Sequence, residues 1–154
     1  MAKRLVLPIL VVIATYASLV GLMGASAWVN VDLPSFIIVP VIPLLYMGFM
    51  YGFPGLGAAF KAPGSGTATR QELRLALCFF KDLGKAIWLF GLLGSATGFV
   101  EVLRNLTDRT KLGPNLAVAI LTVLYAATFN LVLVLPFLSN ARRRLAEMDG
   151  GNPG

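Results

Sequence analysis

Histidine is absent from this 154-residue chain, and its single cysteine is Cys78. Without histidine and with one cysteine, the chain lacks the ligand sets that hold zinc and the side chain that most often acts as general base. One cysteine also excludes an intrachain disulfide. The sequence has no glycine-rich phosphate loop and no pairing of a nucleophile with a base. We therefore expect no enzyme, no metal site and no cofactor.

Charge is scarce as well. Charged residues make up 13% of the chain and hydrophobic residues 57%, a balance typical of integral membrane proteins rather than soluble domains. Charge-free apolar runs cover residues 5–31, 33–60, 86–100 and 112–141. A helix needs about 20 apolar residues to span the hydrocarbon core. The first, second and fourth runs are long enough. The third run, residues 86–100, spans the core only when its flanking charged side chains reach toward the interfaces.

These runs predict an all-α membrane protein that forms a single transmembrane domain over residues 1–154. Between the second and third runs, Thr69 and Glu72 fit a capping box that would begin a short amphipathic helix in a cytoplasmic segment. The four predicted transmembrane helices cover residues 5–30, 34–58, 86–105 and 113–140. The cytoplasmic segment covers residues 61–85, between the second and third helices.

Proline and glycine predict where the helices bend. Pro40, Pro43 and the glycines of residues 52–57 predict a second helix that is kinked and frayed at its cytoplasmic end. Gly113 and Pro114 predict an outer turn before the fourth helix. Pro136 predicts a kink or an end near the inner end of that helix.

The basic residues predict the orientation. Most of the 13 lysines and arginines lie before the first helix, between the second and third, or after the fourth. The positive-inside rule then places both termini inside, in a multi-pass protein. The net charge of +6 fits this topology and anionic lipid headgroups, so nucleic acid is not expected as a partner. A cleaved signal ending near residues 25–27 is the alternative for the N-terminus, but the apolar run is long for one.

The third and fourth predicted helices carry small and hydroxyl residues that a purely lipid-facing helix does not need. Small residues let helix backbones approach closely, and polar groups at membrane depth must face protein or water. Two interpretations stay open: the wall of a hydrated pathway, or helix packing with hydroxyls bonded to their own helix. The polar candidates are Ser95, Thr97, Thr122, Tyr125, Thr128 and Asn130, and the small packing candidates are Gly91, Gly94, Gly98, Ala119 and Ala126.

No carboxylate is expected at the middle of a transmembrane helix, because Asp32 and Glu101 are predicted near the outer interface. A proton path across hydrocarbon needs a titratable group or a chain of water. Either a second protein supplies the carboxylate, or this chain conducts no protons. We interpret Glu101 as a solvated residue near Arg104 and Lys111 rather than as a gate.

Several fragments, in order along the chain, resemble the MotA/TolQ/ExbB proton-channel family, in particular its flagellar stator subunits. They are residues 32–39, 91–100, 111–113, 117–125 and 130–131, together with Pro136. The resemblance implies a homopentamer whose third and fourth helices surround the transmembrane helices of a MotB/ExbD/TolR-type partner. That partner would be single-span and carry the ion-binding aspartate, and the location would be the bacterial inner membrane.

The resemblance also assigns individual positions. Ser95 stands where the family usually has a pore threonine, and Thr122 matches a threonine of the fourth helix. Val123 stands where a second threonine is common, and Ala126 replaces a glycine. Pro136 matches a proline near the inner end. The Val123 substitution bears on the polar pathway and on the choice of ion.

The family's stators carry a large cytoplasmic domain between helices two and three, whereas this chain has only residues 61–85 there. We therefore expect a channel or stator-like subunit of an ion-driven rotary motor that does not drive a flagellar rotor by the usual contact. A non-conducting membrane scaffold or assembly factor and a stand-alone small channel or transporter are the alternatives.

Overall fold

A computed structural model describes residues 9–15, 17–18 and 32–150, and this part of the chain has helices but no strand. The all-α prediction is thus confirmed for these residues. The predicted helix at 5–30 lies largely outside them. The elements are α1 (Leu33–Tyr51), α2 (Phe53–Lys61), a 3₁₀ turn (Ala62–Gly64), α3 (Arg70–Arg104), α4 (Arg109–Phe129), a π-helical segment (Asn130–Val134) and α5 (Leu135–Gly150).

Two stretches of the described chain are long and apolar enough to cross a membrane. They are α3 and the uninterrupted helix Arg109–Gly150, which comprises α4, the π segment and α5. The α1–α2 pair makes a third span if its two bent halves are counted as one, since they meet at an angle of 108°. The first predicted span, residues 5–30, stays a prediction.

The predicted kinked helix at 34–58 is in fact divided in two at Gly52. This residue has φ +75° and ψ 145°, a conformation that favours glycine. Pro54 then falls in the first turn of α2, where its missing N–H is not needed. Pro40 and Pro43 lie inside α1 without ending it, so the glycine and not the prolines sets the break.

The predicted capping box is present, but the helix that it starts is not a separate one. Thr69 Oγ1 accepts from the Glu72 amide at 3.3 Å, and the Glu72 carboxylate accepts from the Thr69 amide at 2.7 Å. The helix instead runs through Gly84 and spans 35 residues, Arg70–Arg104. At 1.5 Å per residue α3 is about 50 Å long, which exceeds a hydrocarbon core of about 30 Å.

The outer turn lies before Gly113 and not at it. Asp108 caps α4 by accepting from the Thr110 amide at 3.1 Å, and the Thr110 hydroxyl donates to the same carboxylate oxygen at 2.6 Å. That hydroxyl lowers the pKa of Asp108, so the cap is ionised at neutral pH. Pro114 consequently lies inside α4, and the prediction of a turn at Gly113–Pro114 is wrong.

Pro136 neither ends the fourth helix nor begins a loop. The Leu135 amide donates to the Asn130 carbonyl, a bond to the fifth preceding residue instead of the fourth. This wider π turn accommodates a proline whose ring would otherwise clash with the preceding helical turn. The helix then continues to Gly150.

An aromatic cluster holds together the end of the bundle at which α2 lies. Phe60 of α2 packs edge-on against Phe79, Phe80 and Phe137, with ring centroids 5.1 to 5.8 Å apart. Phe80 and Phe137 are stacked at 5.1 Å, and both Phe79 and Phe80 are fully buried. The cluster joins α2, α3 and α5 at one level, which fixes the short α2–α3 link beside α5.

Two buried polar side chains of α5 bind the backbone of that link. The Arg144 guanidinium, 4% exposed, donates to the Ala62 carbonyl at 2.9 Å, to the Ser65 carbonyl, and to the Gly66 carbonyl at 3.3 Å. Asn140 donates to the Pro63 carbonyl at 2.8 Å. These carbonyls follow the C-terminal end of α2, where a cation is favoured by the helix dipole. We call Asn140 and Arg144 the clamp.

Replacing Arg144 by Gln should lower stability by about 2–4 kcal/mol, since it leaves buried carbonyls without donors. The measurement is thermal unfolding of the detergent-solubilised protein by circular dichroism, together with the rate of tryptic cleavage after Lys61. Arg142→Gln is the matched control: Arg142 is exposed, and its loss should change stability by less than about 0.5 kcal/mol. Equal effects of the two variants would contradict the clamp.

Candidate functional site

Three glycines of α3 face α4 and set the distance between the two helices. A Cβ atom on Gly91 would lie 2.5 Å from the Ala126 Cβ, and one on Gly98 would lie 2.8 Å from the Ala119 Cβ. One on Gly94 would lie 3.0 Å from the Thr122 Cγ2. The predicted small residues of α3 and α4 therefore contact one another within one protomer, and any side chain at these glycines would force the helices apart.

Two of the predicted polar residues lie within this contact. Ser95 is 7% exposed and Thr122 is 3% exposed. The Thr122 hydroxyl donates to the Ala119 carbonyl at 2.9 Å, which leaves its oxygen able to accept. Thr122 thus lies against Gly94 between the two helices, and Ser95 is buried within the chain.

Thr97 and Thr128 are more accessible. Thr97 is exposed and Thr128 is half-buried. Their hydroxyls donate to the Gly94 and Leu124 carbonyls, each at 2.8 Å. As at Thr122, the proton is used by the helix itself, and the oxygen lone pairs face outward as acceptors.

Tyr125 and Asn130 connect α4 to its neighbours. The Tyr125 hydroxyl accepts from the Asp32 amide at 3.0 Å, and the Tyr125 ring packs edge-on against Phe36 at 5.9 Å. Asn130 donates to the Ala126 carbonyl at 3.0 Å and to the Gly84 carbonyl of α3 at 3.4 Å. Asn130 is thus hydrogen-bonded to α3, and Tyr125 is hydrogen-bonded to Asp32, the residue that caps α1.

The contact with Tyr125 gives the position of Asp32 along α4. Tyr125 lies about 20 Å along α4 from Lys111, counting 1.5 Å per residue, near the middle of the charge-free run 112–141. Asp32 also caps α1, since its carboxylate accepts from the Ser35 amide at 3.0 Å. The Asp32 amide therefore lies at the mid-level of α4, and the place of Asp32 near the outer interface stays a prediction.

Asp82 is a second acidic residue whose position the sequence does not reveal. It accepts from the Tyr51 hydroxyl at 2.6 Å and pairs with Lys85 at 3.7 Å. This polar group joins the end of α1 to α3 beside the Gly52 break. Tyr51 and Asp82 are 31 residues apart in the sequence, so no local pattern predicts their contact.

Glu101 bonds to its own helix neighbourhood. It pairs with Arg104 at 2.9 Å, and both side chains are at least half exposed. This geometry agrees with a solvated residue. Within residues 32–150, no three His, Cys, Asp or Glu side chains are grouped closely enough to hold a metal ion.

Adding a methyl group at Gly91 should destabilise the protein by about 1–3 kcal/mol through overpacking against Ala126. Gly91→Ala therefore lowers Tm, measured by circular dichroism in detergent. Gly113→Ala is the control, because open space surrounds Gly113 in α4 and alanine favours a helix by roughly 1 kcal/mol. Adding Ala126→Gly to Gly91→Ala should restore most of the loss, and failure of this rescue would contradict the packing.

The helix pair lies within a region that matches a known family. The model of the MotA/TolQ/ExbB proton channel family matches residues 64–149, which comprise α3, α4 and most of α5. Motility protein A of Aquifex aeolicus is 37% identical over 79 residues, covering 51% of this chain and 31% of that protein. Chemotaxis protein PomA of Vibrio alginolyticus is 30% identical over 89 residues, covering 48% of this chain and 35% of PomA.

A third relative, the uncharacterized protein YtxD of Bacillus subtilis, is 42% identical over 60 residues, covering 39% of this chain and 22% of YtxD. The matched part is thus a third or less of the length of most of these relatives. No solved structure matches the chain. The family match covers more than half of the chain and confirms the resemblance seen in the sequence. The chain belongs to the MotA/TolQ/ExbB proton channel family.

Proposed function

We propose that this chain is the channel-forming subunit of an ion-driven rotary motor in the bacterial inner membrane. Five copies surround the transmembrane helices of a MotB/ExbD/TolR-type partner, and α3 and α4 face that partner. Ion flow past the partner's carboxylate turns the partner relative to the ring. Protons are the ion that the family description supports.

The observation that carries the proposal is that the family match covers the α3–α4 pair with its glycine contact and polar residues. Support also comes from the apolar surface of this pair. Leu89, Leu93 and Leu103 of α3 are 60 to 65% exposed, and Ile120 of α4 is 57% exposed. Side chains of this kind need lipid or neighbouring subunits around them.

The ion pathway that we propose uses the six polar residues of α3 and α4. Thr97 and Thr128 offer accepting oxygens at the surface of one protomer, because their protons are used by their own helix. Ser95 and Thr122 join the pathway where α3 and α4 part. Tyr125 and Asn130 extend it toward the inner end, and Gly91, Gly94, Gly98, Ala119, Ala126 and Pro136 set the helix spacing.

The first test is native mass spectrometry of the full chain, purified with any single-span protein that is encoded beside it. We expect five copies with two of a partner that carries a transmembrane aspartate. A monomer or dimer in all preparations would contradict a central pore. Absence of a partner in a ring that forms would favour a stand-alone channel.

The second test measures proton flux into liposomes that contain the complex. Thr97→Val keeps the shape but removes the oxygen, and we expect flux to fall about tenfold, as for the loss of one hydrogen bond. Thr67→Val, in the α2–α3 link, is the control and should leave flux unchanged. Equal flux in both variants would contradict a role for Thr97.

A non-conducting scaffold is the second candidate function. It is favoured by one observation: the hydroxyls of Thr97, Thr122 and Thr128 are bonded to their own helix, as ordinary packing residues are. A partnered ring that carries no flux under any potential would support it.

The α2–α3 connection supports a further part of the proposal, that the ring does not drive a flagellar rotor. After α2 ends at Lys61, only residues 62–69 precede α3, and the clamp holds them against α5. This leaves no large domain to contact a rotor. We expect the chain, expressed with its partner in a stator-deleted strain, not to restore swimming in soft agar, whereas the strain's own stator should do so. Restored swimming would contradict this.

A further inference from the structure

A groove of about 550 Å³ opens between α3 and the inner half of the Arg109–Gly150 helix. Its α3 side carries Lys81, Lys85, Trp88 and Leu89, and its other side carries Leu135 and Leu138. Gly84 and Asn130 lie at its floor, where a Cβ on Gly84 would lie 2.9 Å from the Asn130 Oδ1. Because Gly84 has no side chain, Asn130 can lie against the α3 backbone at this point.

The groove is ordered from basic to apolar along its length. Lys81 is exposed, and the Lys85 side chain is 76% exposed. Trp88 and Leu89, which are 41% and 61% exposed, follow toward the middle of α3. The cationic end therefore lies toward the inner helix ends, and the apolar end lies toward the charge-free part of α3.

Further cations continue the basic end. Arg74 precedes Lys81 by two helical turns on the same face of α3, and Arg142 follows Leu138 by four residues on α5. Both are exposed. Among the described residues, Asp82 is the carboxylate that pairs with a groove lysine, and it also accepts from Tyr51. The local balance of charge at this end is positive.

We propose that this groove binds an anionic phospholipid. Its phosphate lies between Lys81 and Lys85, and an acyl chain runs past Trp88 and Leu89 along Leu135. Basic pockets between transmembrane helices attract anionic headgroups, and tryptophan favours the level of the headgroups. A protein helix in the groove would need acidic residues at one end only, whereas a phospholipid has this order of charge and apolar chain by its chemistry. The inference holds whether or not the ring conducts ions.

Trp88 makes the test direct, because it lines the groove and the chain has one other tryptophan, Trp28. The full-length Trp28→Phe protein is reconstituted, with its partner where one is found, into vesicles with dibrominated acyl chains that quench tryptophan on contact. Dibrominated phosphatidylglycerol and phosphatidylcholine are titrated in separate series. We expect Trp88 to favour phosphatidylglycerol by about thirtyfold in relative binding constant, as two interfacial lysines would give.

Adding Lys81→Gln and Lys85→Gln should reduce this preference to about one. Lys61→Gln with Arg143→Gln removes the same charge at the inner end of the bundle, outside the groove, and should keep the preference. Native mass spectrometry should likewise retain phosphatidylglycerol on the control and not on the groove variant. Equal quenching by both lipids would overturn the proposal, and so would no quenching by either, which would mean that another polypeptide covers the groove.

Discussion

The close approach of α3 and α4 is the contact on which the rest of the structure depends. Gly91 and Gly98 allow backbone-level contact with Ala126 and Ala119, and in a bilayer such packing takes the place of the hydrophobic effect between helices. The contact between α3 and the Arg109–Gly150 helix continues past Gly84 to the stacked rings of Phe80 and Phe137, so α3 and this long helix form the frame of the bundle.

The end of the bundle at which α2 lies is held by a different kind of interaction. There the buried guanidinium of Arg144 has no carboxylate partner among the described residues; backbone carbonyls satisfy it instead. Backbone carbonyls do not titrate. The hydrogen bonds of Arg144 therefore persist at a low pH that would protonate a carboxylate and break an ion pair. An eight-residue link fixed in this way holds α2 in one position relative to α5. A long inserted domain would instead move independently of the bundle.

Local sequence signals predicted much of this architecture, and long-range contacts set the rest. The Thr69–Glu72 capping box and the small residues of α3 and α4 could be predicted, because caps and i, i+3 spacing are local. Pro136 does not end the helix, since one π turn accommodates a proline and no local sequence pattern marks such a turn. The position of Asp32 along α4 and the Tyr51–Asp82 bond depend on how α1 packs on α3 and α4, which no local pattern contains.

The hydroxyls show how packing and conduction can use the same residues. A threonine that donates to its own helix carbonyl leaves its oxygen as an acceptor only. A row of acceptors orients water molecules as donors toward the helix and favours a hydrated cation or proton over an anion. The pathway that we propose therefore needs a carboxylate that accepts and releases the ion, but it needs no further donors from α3 and α4. Threonines that bond to their own helix in this way fit the rotation that we propose, because a partner can slide past them without breaking these hydrogen bonds.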